Sequence, residues 1–142
     1  MLAAMFNTVA GKRIALFGAA YKAQTDDTRE SPALAVCRAL LEEQADVVIT
    51  DPRALDNARA ALGEHAAEVT FEPDPYAASV GAYAIAVLTE WRSFAELDYR
   101  RIYASMVKPA FLFDGRNILK HQELRDIGFN VYPLGKRPLV DP

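Results

Sequence analysis

The fold of this chain is constrained most strongly by short apolar runs that stop abruptly at a glycine or at polar residues. The first run ends at Gly18 and the second at Asp51. Continuous apolar runs of this length are typical of strands covered on both faces, as in parallel sheets. The clearest runs lie at about Arg13–Phe17, Asp46–Thr50, Ala82–Leu88 and Ala110–Phe113. The pattern predicts an α/β protein.

Helical segments alternate with these runs. Ser31 is a typical N-cap and Pro32 suits the first helical position, so a helix is predicted over about Pro32–Gln44. We expect six strands in a doubly wound, Rossmann-like order, forming a mostly parallel sheet with helices on both faces. The other predicted elements are helices over about Pro52–Leu62, Pro75–Ser79, Asp98–Met106 and Leu119–Ile127, and strands over about Glu68–Phe71 and Phe129–Tyr132.

Composition and charge narrow the function classes. The chain has 142 residues, 51% of them hydrophobic, which suits one globular domain with its own core. The net charge is −3 with both signs scattered, so a clustered basic surface for nucleic acid is not evident. The single cysteine, Cys37, excludes an internal disulfide. Because no apolar run is long enough to span a membrane, we expect no membrane partner and a cytoplasmic location.

The loop after the first strand carries the most suggestive charges. Lys22 and Arg29 are the two cations between Gly18 and Pro32. Fixed cations in such a loop suit an anionic ligand, with phosphate as the first candidate. The alternatives are a solvated lysine and an arginine that pairs with a neighbouring carboxylate. The acidic neighbours are Asp26, Asp27 and Glu30.

Three motifs in order carry a family resemblance. The string GAAYKAQTDDTRESPAL begins at Gly18, AVLTEW covers Ala86–Trp91 and FDGRNIL covers Phe113–Leu119. Together they resemble the C-terminal, UDP-binding domain of UDP-glucose 6-dehydrogenases, in the UDP-glucose/GDP-mannose dehydrogenase family. The resemblance extends from about Phe6 to about Gly135. All three motifs follow predicted strand ends, where ligands bind in doubly wound sheets.

The resemblance implies an enzyme that oxidises the sugar C6 alcohol of UDP-glucose to a carboxylate in two NAD-dependent steps. NAD and the catalytic cysteine would belong mainly to an N-terminal domain outside this sequence, so we expect the chain alone to be inactive, with no catalytic residue of its own. A homo-oligomer is expected for the full-length protein. Residues 1–10 would end an interdomain linker helix, residues 11–135 would form the UDP-binding domain, and residues 136–142 would form a mobile tail.

The resemblance also assigns site residues. Tyr21, Lys22 and Arg116 match family positions that bind the UDP-sugar, and Arg29 matches an arginine that reaches NAD across the domain interface. From the residues alone, Tyr21 is nearly as well explained as a partly buried core aromatic. Arg116 has an alternative as a brace that pairs with Asp114 after the strand.

Several other residues are predicted to be structural. Glu90 would brace neighbouring loops, and Trp91 would pack at a domain or subunit interface. Cys37 lies on the apolar face of the first helix, where cysteine behaves as a small hydrophobe. The two histidines, His65 and His121, lack partners at metal-ligand spacing, so no metal site is expected.

Dinucleotide binding by this chain is not predicted either. After Gly18 come Ala19, Ala20 and Tyr21, where the dinucleotide fingerprint requires further glycines. Three alternatives to the main interpretation stay open: a dehydrogenase for UDP-N-acetylhexosamine or GDP-mannose, a freestanding nucleotide-binding or dimerisation module, and a response-regulator-like domain. Against the last, the chain lacks paired acidic residues at the end of the first strand.

Overall fold

The computed structural model describes residues 9–20, 27–28 and 31–140. These residues form six strands and six α-helices, and at least one helix separates each strand from the next along the chain, as the apolar runs predict. The strands are β1 (Arg13–Phe17), β2 (Asp46–Thr50), β3 (Val69–Phe71), β4 (Ala84–Val87), β5 (Phe111–Asp114) and β6 (Asn130–Pro133). The helices are α1 (Pro32–Glu42), α2 (Leu55–Leu62), α3 (Pro75–Ser79), α4 (Arg92–Ala95), α5 (Tyr99–Ser105) and α6 (His121–Ile127), with a 3₁₀ helix at Gly63–Glu68.

The sheet order confirms the doubly wound prediction. The order is β3-β2-β1-β4-β5-β6, and the neighbouring strands pair in parallel. Strand order reverses between β1 and β4, so the carboxyl ends of these two strands form the topological switch point. Phe17 pairs with Val87, and Val87 pairs with Asp114, which sets the three strand ends side by side.

Alternating residues of β1 face two separate cores because successive strand side chains point to opposite faces of the sheet. Ile14 and Leu16 belong to the core on one face, and Ala15 and Phe17 belong to the core on the other. Helices therefore cover both faces of the sheet. The first core includes Leu34 and Leu40 of α1 with Ala58 and Leu62 of α2, and the second includes Phe94 of α4, Ile102 of α5 and Leu124 of α6.

Several predicted boundaries are corrected by local hydrogen bonding. The first helix ends at Glu42 rather than Gln44, because Gln44 has a left-handed backbone with φ of 65°. The second begins at Leu55 rather than Pro52, because the Asp51 carboxylate accepts the N–H groups of Arg53 and Ala54 in a turn. Helix α4 was not predicted at all, since it is four residues long and no side chain caps it.

The segment predicted to be a mobile tail contacts the sheet where it is described. Leu139 forms an isolated antiparallel bridge with Val131 of β6, and the two residues exchange N–H···O bonds of 2.8 Å. This bridge holds the chain near Leu139 against the outer edge of β6. Among the described helices, none combines the length and apolar character needed to cross a membrane.

Candidate functional site

The carboxyl ends of β1, β4 and β5 bring the three sequence motifs together. Gly18 directly follows β1, Thr89 follows β4 after one further residue, and Gly115 directly follows β5. Since these strands are neighbours in the sheet, motifs separated by tens of residues in sequence meet at one edge. This is where the doubly wound topology places a ligand.

Arg116 lies at this edge and forms an ion pair with Glu90. Arg116 Nε lies 2.6 Å from Glu90 Oε2, and Nη2 donates to the same oxygen. Both side chains are about one-third exposed, so the pair is partly shielded from water and still reachable. The prediction that Glu90 braces a neighbouring loop is confirmed. The alternative in which the Arg116 side chain pairs with Asp114 is corrected, because only the Arg116 backbone N–H donates to Asp114 Oδ1, at 3.1 Å.

Asp114 fixes the turn that presents Arg116. Its side chain is fully buried, and its Oδ2 accepts the Leu119 N–H at 2.9 Å. His121 Nε2 lies 2.8 Å from the same oxygen, with the imidazole only 13% exposed. Helix α6 begins at His121 rather than at Leu119, because Lys120 is the N-cap and has a non-helical ψ of 89°. Tyr99 is a buried residue whose hydroxyl donates to the Phe94 carbonyl at 2.6 Å. Its burial, and to a lesser extent the charge of Asp114, raise the pKa of this hydroxyl.

A second buried carboxylate, Asp51, was missed as a site residue because the sequence indicates only a turn at Asp51-Pro52. Its Oδ2 accepts the backbone N–H groups of Ala19 at 2.8 Å and Ala20 at 3.2 Å, and the Trp91 indole N–H at 3.1 Å. Its Oδ1 accepts two more N–H groups at the start of the following turn. One carboxylate therefore joins the ends of β1, β2 and β4. A usable signal was its position directly after a buried strand.

Ala19 and Ala20, the two residues before Tyr21, have all of their backbone N–H and C=O groups hydrogen-bonded. Besides the two N–H groups bound by Asp51, the Ala19 carbonyl accepts the Ser31 hydroxyl at 2.8 Å, and the Ala20 carbonyl accepts the Thr89 hydroxyl at 2.8 Å. These buried bonds fix the direction in which the chain leaves β1. The loop predicted to carry the ligand cations thus starts from a rigid base.

The predicted site residues are only partly covered by the structure. Tyr21, Lys22 and Arg29 lie outside the described residues, so their roles stay predictions, and Arg116 is placed at the strand-end edge. Trp91 was expected at a domain or subunit interface. It is instead 5% exposed, inside the core between the sheet and the helices of one face, where it donates to Asp51.

Cys37 lies in the hydrophobic core, as the sequence predicts. Cys37 is fully buried in the core beneath α1, and burial raises the pKa of its thiol from 9.0 to about 11. A thiol that remains protonated is a poor nucleophile. Across residues 9–20, 27–28 and 31–140, no group of three or more His, Cys, Asp or Glu side chains is arranged to hold a metal ion.

Comparison with protein families identifies the group to which this domain belongs. Residues 15–121 match the UDP binding domain of the UDP-glucose/GDP-mannose dehydrogenase family. The chain belongs to this family. The match spans the sheet from β1 to the start of α6 and includes all three strand-end motifs.

Curated members of the UDP-glucose/GDP-mannose dehydrogenase family match nearly the whole chain. UDP-glucose 6-dehydrogenase 2 of Oryza sativa subsp. japonica is 42% identical over 96% of the chain. The UDP-glucose 6-dehydrogenases of Drosophila melanogaster and Caenorhabditis elegans are 43% and 45% identical over 96% and 97% of it. The matches cover 32%, 31% and 30% of these relatives. The chain therefore spans about a third of their length.

Solved structures of dehydrogenases in the family share the fold. A UDP-glucose dehydrogenase from Pyrobaculum islandicum matches with a TM-score of 0.71 and 30% identity, over 90% of this chain and 28% of that one. A UDP-D-ManNAc dehydrogenase from Pyrococcus horikoshii matches with a TM-score of 0.72 and 28% identity, over 94% and 28%. The six-stranded sheet described above is thus the fold of these dehydrogenase domains.

Proposed function

We propose that this chain is the UDP-sugar-binding C-terminal domain of an NAD-dependent UDP-glucose 6-dehydrogenase, which converts UDP-glucose to UDP-glucuronate. The observation that carries the proposal is the 42–45% identity to UDP-glucose 6-dehydrogenases over nearly the whole chain. The guanidinium of Arg116 supports it, because Arg116 follows β5 beside the switch point and pairs with Glu90 after β4, at the edge where an anionic ligand would bind.

The role proposed for this domain is to anchor the nucleotide end of the substrate. Arg116 and Lys22 bind the UDP-sugar through their positive charges, and Tyr21 packs or hydrogen-bonds against it. Contacts far from the reacting C6 carbon hold that carbon in place for oxidation elsewhere in the enzyme. In the proposed full-length protein, which is a cytoplasmic homo-oligomer, an N-terminal domain supplies the catalytic cysteine. The chain alone is expected to show no turnover.

NAD supplies the hydride acceptor in this proposal, and the first strand-end loop of this chain does not fit its pyrophosphate. The N–H groups of Ala19 and Ala20, which such a loop would offer to phosphate, are already bound by the Asp51 carboxylate. Thr89 also fills the space above Gly18, where a pyrophosphate would approach the backbone. We therefore assign NAD mainly to the N-terminal domain, with Arg29 as the contact from this chain.

Calorimetric titration of the chain with UDP and UDP-glucose tests the proposal. We expect weak binding that Arg116→Ala and Lys22→Ala abolish. Arg92→Ala is a matched control, since Arg92 is 88% exposed and pairs with Glu96 on the surface; this variant should bind UDP like the unmodified chain. A chain that binds neither ligand, or that loses no affinity in Arg116→Ala, would contradict the anchoring role.

The same domain of a dehydrogenase for UDP-N-acetylhexosamine or GDP-mannose is the second candidate. The structural similarity to the UDP-D-ManNAc dehydrogenase at 28% identity favours keeping it. The higher identity to curated UDP-glucose 6-dehydrogenases supports the first assignment. Titration with UDP-N-acetylmannosamine and GDP-mannose separates them: tighter binding of either than of UDP-glucose would reverse the assignment. A freestanding binding module would show UDP binding in a protein whose complete reading frame has no catalytic domain.

A further inference from the structure

Glu90 and Arg116 are brought together by two neighbouring strands. Glu90 follows β4 and Arg116 follows β5, and Val87 pairs with Asp114 at the ends of these strands. Glu90 Oε2 accepts from both Nε and Nη2 of the guanidinium, with Nε at 2.6 Å. The contact is therefore directional and fixes the rotation of the guanidinium as well as its position.

The pair leaves part of the guanidinium available. An arginine side chain carries five N–H donors in a planar fork. Two of them donate to Glu90, and the other three donate to none of the residues that the structure describes. The two Nη1 hydrogens and the remaining Nη2 hydrogen can therefore donate to a second anion. Phosphate oxygens accept such forked pairs of hydrogen bonds from arginine.

Both partners stand on rigid supports. The Arg116 backbone is tied to the buried Asp114 carboxylate. Glu90 lies between Thr89, whose hydroxyl is bound to the Ala20 carbonyl, and Trp91, whose indole is bound to Asp51. The surface pair Arg92–Glu96 differs in each respect, with one contact at 3.5 Å and side chains 88% and 67% exposed. Glu90 thus holds Arg116 in one geometry before any ligand arrives.

We propose that Glu90 is a positioning residue for substrate binding: its carboxylate holds the Arg116 guanidinium so that the open N–H donors receive the diphosphate of a nucleotide sugar. The inference rests on the proposed function of this edge of the sheet. An unheld arginine loses the freedom of its long side chain when it binds a ligand, and Glu90 removes much of that cost beforehand. The Glu90 carboxylate also repels the diphosphate. The change in UDP affinity when Glu90 is replaced therefore shows whether ordering of Arg116 or this repulsion is the larger effect.

The test compares the affinities of UDP, uridine and UDP-glucose for the chain and for Glu90→Ala and Glu90→Gln. We expect Glu90→Ala to weaken UDP binding about 3- to 10-fold, the cost of ordering one long side chain. Glu90→Gln keeps an acceptor oxygen and should restore most of the affinity. Uridine, which lacks phosphate, should bind all three proteins alike. Glu96→Ala is the matched control, and it should leave UDP binding unchanged.

Two further measurements separate positioning from a structural effect. In the Arg116→Lys background, Glu90→Ala should weaken UDP binding less than it does in the unmodified chain, because lysine lacks the planar fork that Glu90 orients. The Arg116 Nε–H signal in ¹⁵N–¹H spectra is assigned by its absence in Arg116→Lys. This hydrogen should exchange with water slowly in the unmodified chain and quickly in Glu90→Ala.

The outcomes are distinct. Tighter UDP binding by Glu90→Ala would overturn the proposal, since the carboxylate would then compete with the ligand. An effect on UDP-glucose alone would overturn the assignment of the open donors to the diphosphate. If the unmodified chain binds neither UDP nor UDP-glucose, the proposed function fails and the ligand role of Glu90 fails with it. The Nε–H exchange still decides whether Glu90 holds the guanidinium: fast exchange in the unmodified chain would show that it does not.

Discussion

Gly18 and Thr89 approach so closely that no side chain fits between them. A Cβ atom on Gly18 would lie 2.3 Å from Thr89 Oγ1 and 2.5 Å from Thr89 Cβ. Gly18 also has a positive φ of 113°, which disfavours other residues. The end of β1 is therefore pressed against the turn after β4, and this contact brings the Thr89 hydroxyl to the Ala20 carbonyl.

Replacing Gly18 tests that contact. Gly18→Ala should lower the free energy of unfolding by about 3 kcal/mol or more, because backbone strain adds to a clash with the buried Thr89. Gly11→Ala is the matched control, since Gly11 has φ of 71° with nothing within 4 Å of the added carbon. Gly11→Ala should lower the free energy of unfolding by about 1 kcal/mol, because only the unfavourable positive φ contributes. Equal losses in denaturant unfolding would show that the close approach does not matter.

The Thr89 hydroxyl is expected to contribute to stability on its own. Thr89→Val keeps the shape of the side chain and leaves the buried Ala20 carbonyl without its donor, so we expect a loss of about 1–3 kcal/mol. Thr70→Val replaces an exposed threonine on β3 and should change stability by less than about 0.5 kcal/mol. If the two variants unfold at the same denaturant concentration, the hydrogen bond makes no net contribution.

Asp51 should be among the most sensitive positions at this edge of the sheet. Asp51→Asn replaces one acceptor oxygen by an NH₂ group, which cannot accept from the backbone N–H groups or the indole. We expect a loss of about 2–4 kcal/mol, since a buried charge-assisted network is broken. Trp91 is the sole tryptophan, so a shift of its fluorescence reports the broken indole bond directly. Asp46→Asn, at an exposed position on β2, is the control and should alter neither quantity.

Cys37 should resist modification while the chain is folded. Its thiol pKa is raised to about 11 by burial, so alkylation by iodoacetamide at pH 8 should be slow until denaturant exposes the helix. The raised pKa also has a linkage consequence with a definite sign. The folded state favours the protonated thiol, so the associated stability is complete below about pH 9 and is lost as the pH rises through about 11.

Comparison with Cys37→Ala isolates this linkage. The variant should be less stable at neutral pH because it loses buried volume. Its free energy of unfolding should nevertheless fall less than that of the unmodified chain between pH 9 and pH 11. Tyr99, whose hydroxyl pKa is also raised by burial, contributes to both proteins and cancels in the difference. Parallel pH profiles for the two proteins would contradict the shifted thiol.

The sheet could be predicted from the sequence because its strands are continuous apolar runs. The bounds of β1 and β2 match the predictions, since each run is closed by a glycine or a polar residue. Helix starts were less predictable where a carboxylate side chain binds the backbone N–H groups just before the helix. Asp51 and Asp114 bind backbone N–H groups ahead of α2 and α6, and the helices begin later than the apolar pattern suggests.

The candidate site was predictable in part for the same reason. Arg116 could be placed at a strand end from its position after an apolar run. Its partner Glu90 is 26 residues away, and only the parallel register of β4 with β5 brings the two together. The five hydrogen bonds of Asp51 come from three segments of the chain, and two of these segments are more than 30 residues away, so the sequence around Asp51 does not predict them. Hydrophobic periodicity reports burial, and it does not report which polar groups meet across a sheet.

The position of β1 in the sheet affects the order in which the domain can be completed during synthesis. This strand is translated ahead of the other five, yet it lies in the middle and needs both β2 and β4 as neighbours. Until β4 leaves the ribosome, one edge of β1 has no partner, and Thr89 and Trp91 are not yet present to fix the following loop. A nascent chain that pauses before β4 therefore exposes the unpaired edge of a five-residue apolar strand, which is the stage at which a chaperone would be most needed.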